Sequence, residues 1–228
     1  MDIKKPLTKS SAKITVTENG PYLVTGGIPL SEETIGTDEE GSSSEWRQSK
    51  EYPLQDSYAL CRCGKSKTPP YCDGSHIKTK FNGKETASHE PYSKLANRID
   101  GPDLYLLDAP EFCAFARFCD RGDSVWEYTR DSNDPEAKKT AIAQARNCPS
   151  GRLVALEKKT NQVHDEGLEK SIVVVEDPQM DCHGPIWVRG GIPIEDADGV
   201  PYEVRNRVTL CRCGKSGNKP YCDGSHAR

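Results

Sequence analysis

The chain has 228 residues, 34% of them hydrophobic, with 31 basic against 35 acidic side chains and a formal charge of −4. Two or three small loop-rich modules fit this composition better than one large core. No apolar run reaches membrane-spanning length, and interspersed charges of both signs exclude the basic footprint of a nucleic-acid binder.

In chain order, short strands are expected around KITVTE, PYLVTGG and SYALCR, with turns at the Gly and Pro positions. A polar stretch, ETIGTDEEGSSSEWRQ, interrupts this series. Further on, DLYLLD at 103–108 reads as a strand and EFCAFARFC at 111–119 as a helical turn or compact ligand loop. PEAKKTAIAQARN at 135–147 reads as a helix, with Asp134 as N-cap and Pro135 in the first turn. Strands LVALE and IVVVE follow, separated by the polar loop KKTNQVHDEG, and the last strands are expected around IWVRGG and YEVRNRVTLCR.

The two ends repeat one another. CRCGKSKTPPYCDGSH at 61–76 and CRCGKSGNKPYCDGSH at 211–226 agree at thirteen of sixteen positions, and GPYLVTGGIPL at 20–30 matches GPIWVRGGIPI at 184–194. Pro21 precedes Cys61 by forty residues and Pro185 precedes Cys211 by twenty-six, so the first copy holds fourteen extra residues, which the polar stretch accommodates.

Ten cysteines is a high count. The N-terminal MDIKKPLTKSSAKITV has no apolar signal region, so metal ligation in a reducing, cytoplasmic compartment is expected rather than disulfides. Each end segment offers three cysteines and a histidine as C-x-C-x8-C-x3-H: Cys61, Cys63, Cys72 and His76, then Cys211, Cys213, Cys222 and His226. A Cys3His set is chemically acceptable to zinc, but zinc modules usually have a two-residue gap in the first pair. Three thiolates and one imidazole suit a [2Fe-2S] cluster with two Cys on one iron and Cys plus His on the other. The GKS fragments are not phosphate loops, because the glycine required five residues upstream is Ala59 in one copy and Thr209 in the other.

Both strings closely resemble the CDGSH iron–sulfur domain of mitoNEET-like proteins and satisfy its fixed positions, with Ser66, Pro70, Ser216 and Pro220 filling the inner ones. The resemblance implies one [2Fe-2S] cluster per copy, with Asp73, Ser75, Asp223 and Ser225 supporting the ligand loops through hydrogen bonds. GPYLVTGG and GPIWVRGG look like the start of the family's β-cap. Single-motif members form strand-exchanged homodimers, so a tandem chain implies the same dimer made intramolecularly. No N-terminal membrane anchor like that of the mitochondrial members is evident.

Cys113, Cys119 and Cys148 form a third constellation, C-x5-C-x28-C-P. Against a ferredoxin run C-x2-C-x2-C with a distant Cys-Pro, the middle ligand is replaced by Ala116. Three thiolates suit a [3Fe-4S] cluster; a [4Fe-4S] cluster is the alternative if another group fills the fourth corner. This region also resembles the divergent single-cluster ferredoxin domain, with NCPSGRL as its clearest signature. Cys182 aligns with Glu18 of the first repeat, a non-ligand position, and is expected to be free or packed; it is also the first candidate for a fourth ligand. His89 and His164 are expected to be solvated. Phe115, Phe118 and Trp126 could shield a centre from water. The lysines of the CRCGKS strings could lie beside a cluster or be solvated.

The expected fold is α+β: two small β-rich CDGSH modules, 1–80 and 181–228, forming an intrachain pseudo-dimeric β-cap, with a ferredoxin-like α+β module at 81–180. The expected function is iron–sulfur electron transfer by a monomer that acts as a redox carrier rather than an enzyme, with an unidentified redox partner and neither nucleic acid nor membrane. Alternatives are cluster storage, transfer to an apo-protein or redox sensing, and an enzyme using an open-site [4Fe-4S] cluster.

Overall fold

The computed structural model describes residues 11–228. Residues 1–10, part of the first module by sequence, lie outside the described residues. The first repeat contributes β1 (Lys13–Val16), β2 (Tyr22–Thr25), β3 (Leu30–Thr37), β4 (Ser43–Glu51) and β5 (Ser57–Leu60). Short helices α1 (Ser75–Lys78) and α2 (Tyr92–Leu95) lead to β6 (Asn97–Asp100), β7 (Leu104–Asp108), α3 (Ser124–Arg130), α4 (Pro135–Asn147) and β8 (Leu153–Glu157). The chain ends with β9 (Ser171–Asp177), β10 (Cys182–Arg189), β11 (Ile194–Glu195) and β12 (Arg207–Leu210).

The end repeats exchange strands. One sheet runs β11-β1-β2-β5 and another β12-β10-β9-β3-β4, so each contains a strand from the other repeat. Ile14 pairs with Ile194 in parallel β1–β11, and Ile172 pairs with Leu30 in parallel β9–β3. The hairpins also match in register: Val16 faces Tyr22, and Val174 faces Ile186. The inward residues of both repeats merge into one core that includes Ile14, Tyr22, Val24, Leu30, Ile172, Ile186, Val188 and Ile194. Neither copy could bury these side chains alone, so the two halves form one β-cap.

Strand β9 belongs to this cap and not to the middle module, as its sequence position had suggested. Its IVVV run is buried on both faces: Ile172 and Val174 enter the cap core, whereas Val173 and Val175 pack with Trp187, Ile35, Ala116 and Phe118. Burial on both sides removes the polar alternation that marks a half-exposed strand. The equivalent β1 alternates between half-buried and buried positions.

The extra residues of repeat one form the β3–β4 hairpin, which extends the second sheet. Trp46 on this hairpin packs between Phe118 and Trp187, with ring centroids 4.8 Å from each.

The middle domain is a three-stranded antiparallel sheet, β6-β7-β8, packed against α3 and α4. As its sequence predicts, α4 begins at an Asp134 N-cap, whose carboxylate accepts from the Glu136 N–H at 2.8 Å, with Pro135 in the first turn. Its buried Ala145 packs with Leu106, Val125, Leu153 and Ala155. Strand β12 is tied to this domain by buried Arg207, which donates to the Ala145 and Leu153 carbonyls and pairs with Asp165 at 2.6 Å. The protein is thus an α+β structure with two β-rich end repeats and an α+β middle.

Candidate metal centre

Each end segment follows a strand that stops at its first cysteine: β5 at Leu60 and β12 at Leu210. The loop turns back, and the Cys61 N–H donates to Pro70 O and the Cys211 N–H to Pro220 O, both at 2.8 Å. Four side chains result as two close pairs per copy. Cys61 Sγ lies 3.7 Å from Cys63 Sγ, and Cys72 Sγ lies 3.3 Å from His76 Nδ1. In the second copy Cys211 and Cys213 are 3.7 Å apart, and Cys222 lies 3.4 Å from His226 Nδ1.

A tetrahedral ion about 2.3 Å from each sulfur places sulfurs about 3.8 Å apart, and a mononuclear zinc needs all its ligands at such edges. Among the described residues, no three His, Cys, Asp or Glu side chains converge on one ion position. The 3.7 Å separation of each Cys–Cys pair matches such an edge, so each of these pairs can hold one metal atom.

Asp73 accepts from the Lys67 and Ser75 N–H groups at 2.8 and 2.9 Å, and these hydrogen bonds hold its carboxyl down at about 2. Asp223 accepts from Gly217 N–H and from the Ser225 N–H and hydroxyl. Burial opposes its charge, but these bonds outweigh it and the pKa is lowered. The Ser66 and Ser216 hydroxyls close the loops by donating to Tyr71 O at 2.6 Å and Tyr221 O at 2.7 Å.

The thiols are prepared unequally. Burial pushes Cys222 up, and Cys211 is raised by its hydrogen bond to Cys213 and by burial. Cys213, which accepts that hydrogen bond and another from Lys215 N–H, is lowered to about 7. Metal binding must displace protons from the raised thiols, which couples occupancy to pH.

The arginine inside each C-R-C is a positioning residue that motif reasoning passed over. Arg62 is 1% exposed and donates to Thr17 O at 2.8 Å and to Gly83 O. Arg212 is also buried, donating to Val175 O and Gly184 O and pairing with Glu176 at 2.8 Å. Both guanidinium groups tie the ligand loop to the cap. The available signal was an arginine repeated where only a spacer was needed. Tyr22 acts across the repeats: its hydroxyl donates to Cys211 O at 2.8 Å and lies 3.0 Å from Pro220 O.

Cys113, Cys119 and Cys148 come together around one cavity, with Ala116, Phe115, Phe118, Pro149 and Arg152 completing its wall. The loop is held in an unusual shape, with Phe115 and Arg117 at φ +55° and +61°. Arg117 fixes it by donating to Phe115 O and pairing with buried Asp177 at 2.6 Å. Burial strongly raises the Cys119 thiol. Arg152 faces Cys113 and pairs with Asp108 at 2.6 Å; Trp126 donates to the same carboxylate. Trp126 therefore supports the wall indirectly, whereas Phe115 and Phe118 line it.

Cys182 borders a separate cleft with Glu176, Asp177, Asp181 and His183. His89 stacks on Tyr202 at 4.1 Å and approaches Asp196 at 3.2 Å, while His164 approaches Glu157 at 3.3 Å. His89 is exposed, as expected from sequence, whereas His164 is half-buried. Lys65 and Lys215 are exposed and border a cavity of about 290 Å³ with Cys61, Cys213 and Arg212.

Comparison with family models matches residues 19–77 and 183–227 to the iron-binding zinc finger of CDGSH type, and residues 99–158 to a divergent 4Fe-4S mono-cluster domain. Comparison with curated proteins gives no match, and comparison with solved structures gives none. These family matches define an iron–sulfur protein. The chain is a tandem CDGSH-domain protein with a divergent single-cluster ferredoxin-type domain between its two copies.

Proposed function

We propose that the chain is an electron-transfer protein of the reducing cytoplasm, a monomer serving an unidentified redox partner and a carrier rather than a catalyst. Cys61, Cys63, Cys72 and His76 would hold one [2Fe-2S] cluster, and Cys211, Cys213, Cys222 and His226 another. Cys113, Cys119 and Cys148 would hold a [3Fe-4S] cluster, supported by Ala116 at the position of a fourth ligand. The matched family's description favours [4Fe-4S] instead, which would need a non-cysteine group at the fourth corner. When bound, such clusters supply one-electron chemistry.

The observation that carries this reading is that the three ligand loops touch in series. Gly64 and Gly214 lie against the Cys213 and Cys63 backbones, while Gly224 of the second loop lies against Cys113 and Phe115. Three one-electron sites whose ligand loops touch in series suit movement of electrons through the protein better than three isolated structural metals would. None of the ten cysteines is in a disulfide, and no helix among the described residues is long and apolar enough to cross a membrane.

An anaerobic redox titration followed by EPR tests the proposal. Reversible one-electron signals from the middle site and both CDGSH sites are expected; irreversible iron loss on first reduction would contradict it. A second reading, cluster transfer to an apo-protein, is favoured by His76, which borders an open surface groove with Glu18, Asn19, Ile77, Lys80 and Phe81.

A further inference from the structure

The two CDGSH copies are nearly identical in sequence but differ in surroundings. In the first loop Gly64, Thr68, Pro69 and Asp73 are exposed, and Ser66, Tyr71, Cys72 and Gly74 are half-buried. At the matching positions of the second, Ser216, Tyr221, Cys222 and Gly224 are buried, and Gly214, Asn218, Lys219 and Asp223 are half-buried. Cys213 departs from the trend, being more exposed than Cys63.

The cover over the second loop comes from the middle domain and its linker. Gly224 packs so closely that a Cβ would lie 3.1 Å from Cys113 O and 3.3 Å from the Phe115 side chain. Asn218 donates to Glu111 O at 2.9 Å. Tyr221 packs edge-on against Phe112, with centroids 5.1 Å apart. Lys219 O accepts from the Thr86 and Ala87 N–H groups, and Gly217 O from the Thr86 hydroxyl at 2.7 Å. On the equivalent side of the first loop, a Cβ on Gly74 would meet nothing within 4 Å, and Ile77 beside His76 is 73% exposed.

We propose that the first CDGSH site is the chain's exchange port, and that the second is a retained site sealed by the middle domain. This rests on the reading that both copies hold [2Fe-2S] clusters. The exchange partner is an apo-protein presenting four thiols. Three iron–sulfur bonds to Cys61, Cys63 and Cys72 and one iron–nitrogen bond to His76 break, and four iron–thiolate bonds form on the acceptor. The four protons released by its thiols pass to the vacated groups, and no electron changes hands. Reaching Cys72 and His76 of the first set requires movement of α1 and its exposed loop, with Cys61 and Cys63 buried beneath them. Reaching Cys222 requires separation of Gly224 from Cys113, a larger opening with a higher free energy.

The test uses the full-length holoprotein with an apo-ferredoxin as acceptor, sampled over time and alkylated with iodoacetamide. Mass spectrometry then reads each cysteine, and each rate is compared with that in the metal-free chain, which removes the effect of simple burial. The first copy should lose protection about tenfold faster than the second. Parallel work with Cys222→Ser and Cys72→Ser, each retaining one complete site, should give fast and slow loss of visible absorbance respectively. Equal rates, or faster loss from the second copy, would overturn the proposal while leaving both clusters in place. Absence of iron from the starting protein would instead refute the underlying reading and the proposal together.

Discussion

Gly64 and Cys213 meet backbone to backbone: a Cβ on Gly64 would lie 2.7 Å from the Cys213 carbonyl oxygen. Gly214 has the reciprocal relationship with Cys63, at 2.8 Å, and both glycines have positive φ, +68° and +79°. The two ligand loops are thereby pressed together at the centre of the cap. The nearest atoms are backbone and cannot swing aside, so Gly64→Ala should cost about 1–3 kcal/mol from strain alone. Chemical denaturation should show the loss, and visible circular dichroism should show both CDGSH chromophores disturbed. A variant with wild-type stability would contradict the contact.

Tyr22→Phe removes the hydroxyl that reaches from the first repeat to the second ligand loop. The Cys211 carbonyl, buried with Tyr22, loses this donor, at a cost of about 1–3 kcal/mol. Urea denaturation measures this cost, and the variant should release iron faster from the second copy than from the first.

Arg152→Met leaves Asp108, which is 6% exposed, without its ionic partner. Breaking such a pair costs about 3–5 kcal/mol. Loss of the positive charge facing Cys113 should also lower the reduction potential of the middle centre. Adding Asp108→Leu should recover most of the stability but keep the potential below wild type, which an EPR-monitored titration can separate.

Glu85, a carboxylate that is not itself a ligand, provides a pH test. Burial raises its carboxyl, opposed by the Tyr202 hydroxyl, which donates to it at 3.1 Å, and by the charge of Arg62. The folded protein holds this proton more tightly than the unfolded chain. Its stabilising contribution is complete below the ordinary glutamate value of about 4.3 and is lost as pH rises through the raised value. Glu85→Gln should therefore gain stability relative to wild type between mildly acid and neutral pH. Parallel melting-temperature curves would contradict the shift.

The cysteine spacing made the close Cys–Cys and Cys–His pairs of the end segments readable, because these pairs are local, and α4 was readable from its Asp134–Pro135 start. The strand exchange needed the family resemblance, since nothing in KITV alone says that it will pair with Ile194. The domain to which IVVVE belongs was misread because position along the chain outweighed the repeat. Aligned by register, Thr15 and Thr17 of the first repeat correspond to Val173 and Val175 of the second. That change from polar to apolar marks the face covered by Phe118 and Trp46. The roles of Arg62, Arg212 and Tyr22 depend on backbone carbonyls distant in sequence, which no local pattern encodes.

Anaerobic iron and sulfide analysis with EPR of the as-isolated and reduced protein tests the three-cluster assignment most directly. About seven irons per chain are expected, with a near-isotropic signal at a g value of about 2.01 when oxidised and [2Fe-2S] signals on reduction. A total of about four irons, or stoichiometric zinc, would contradict it.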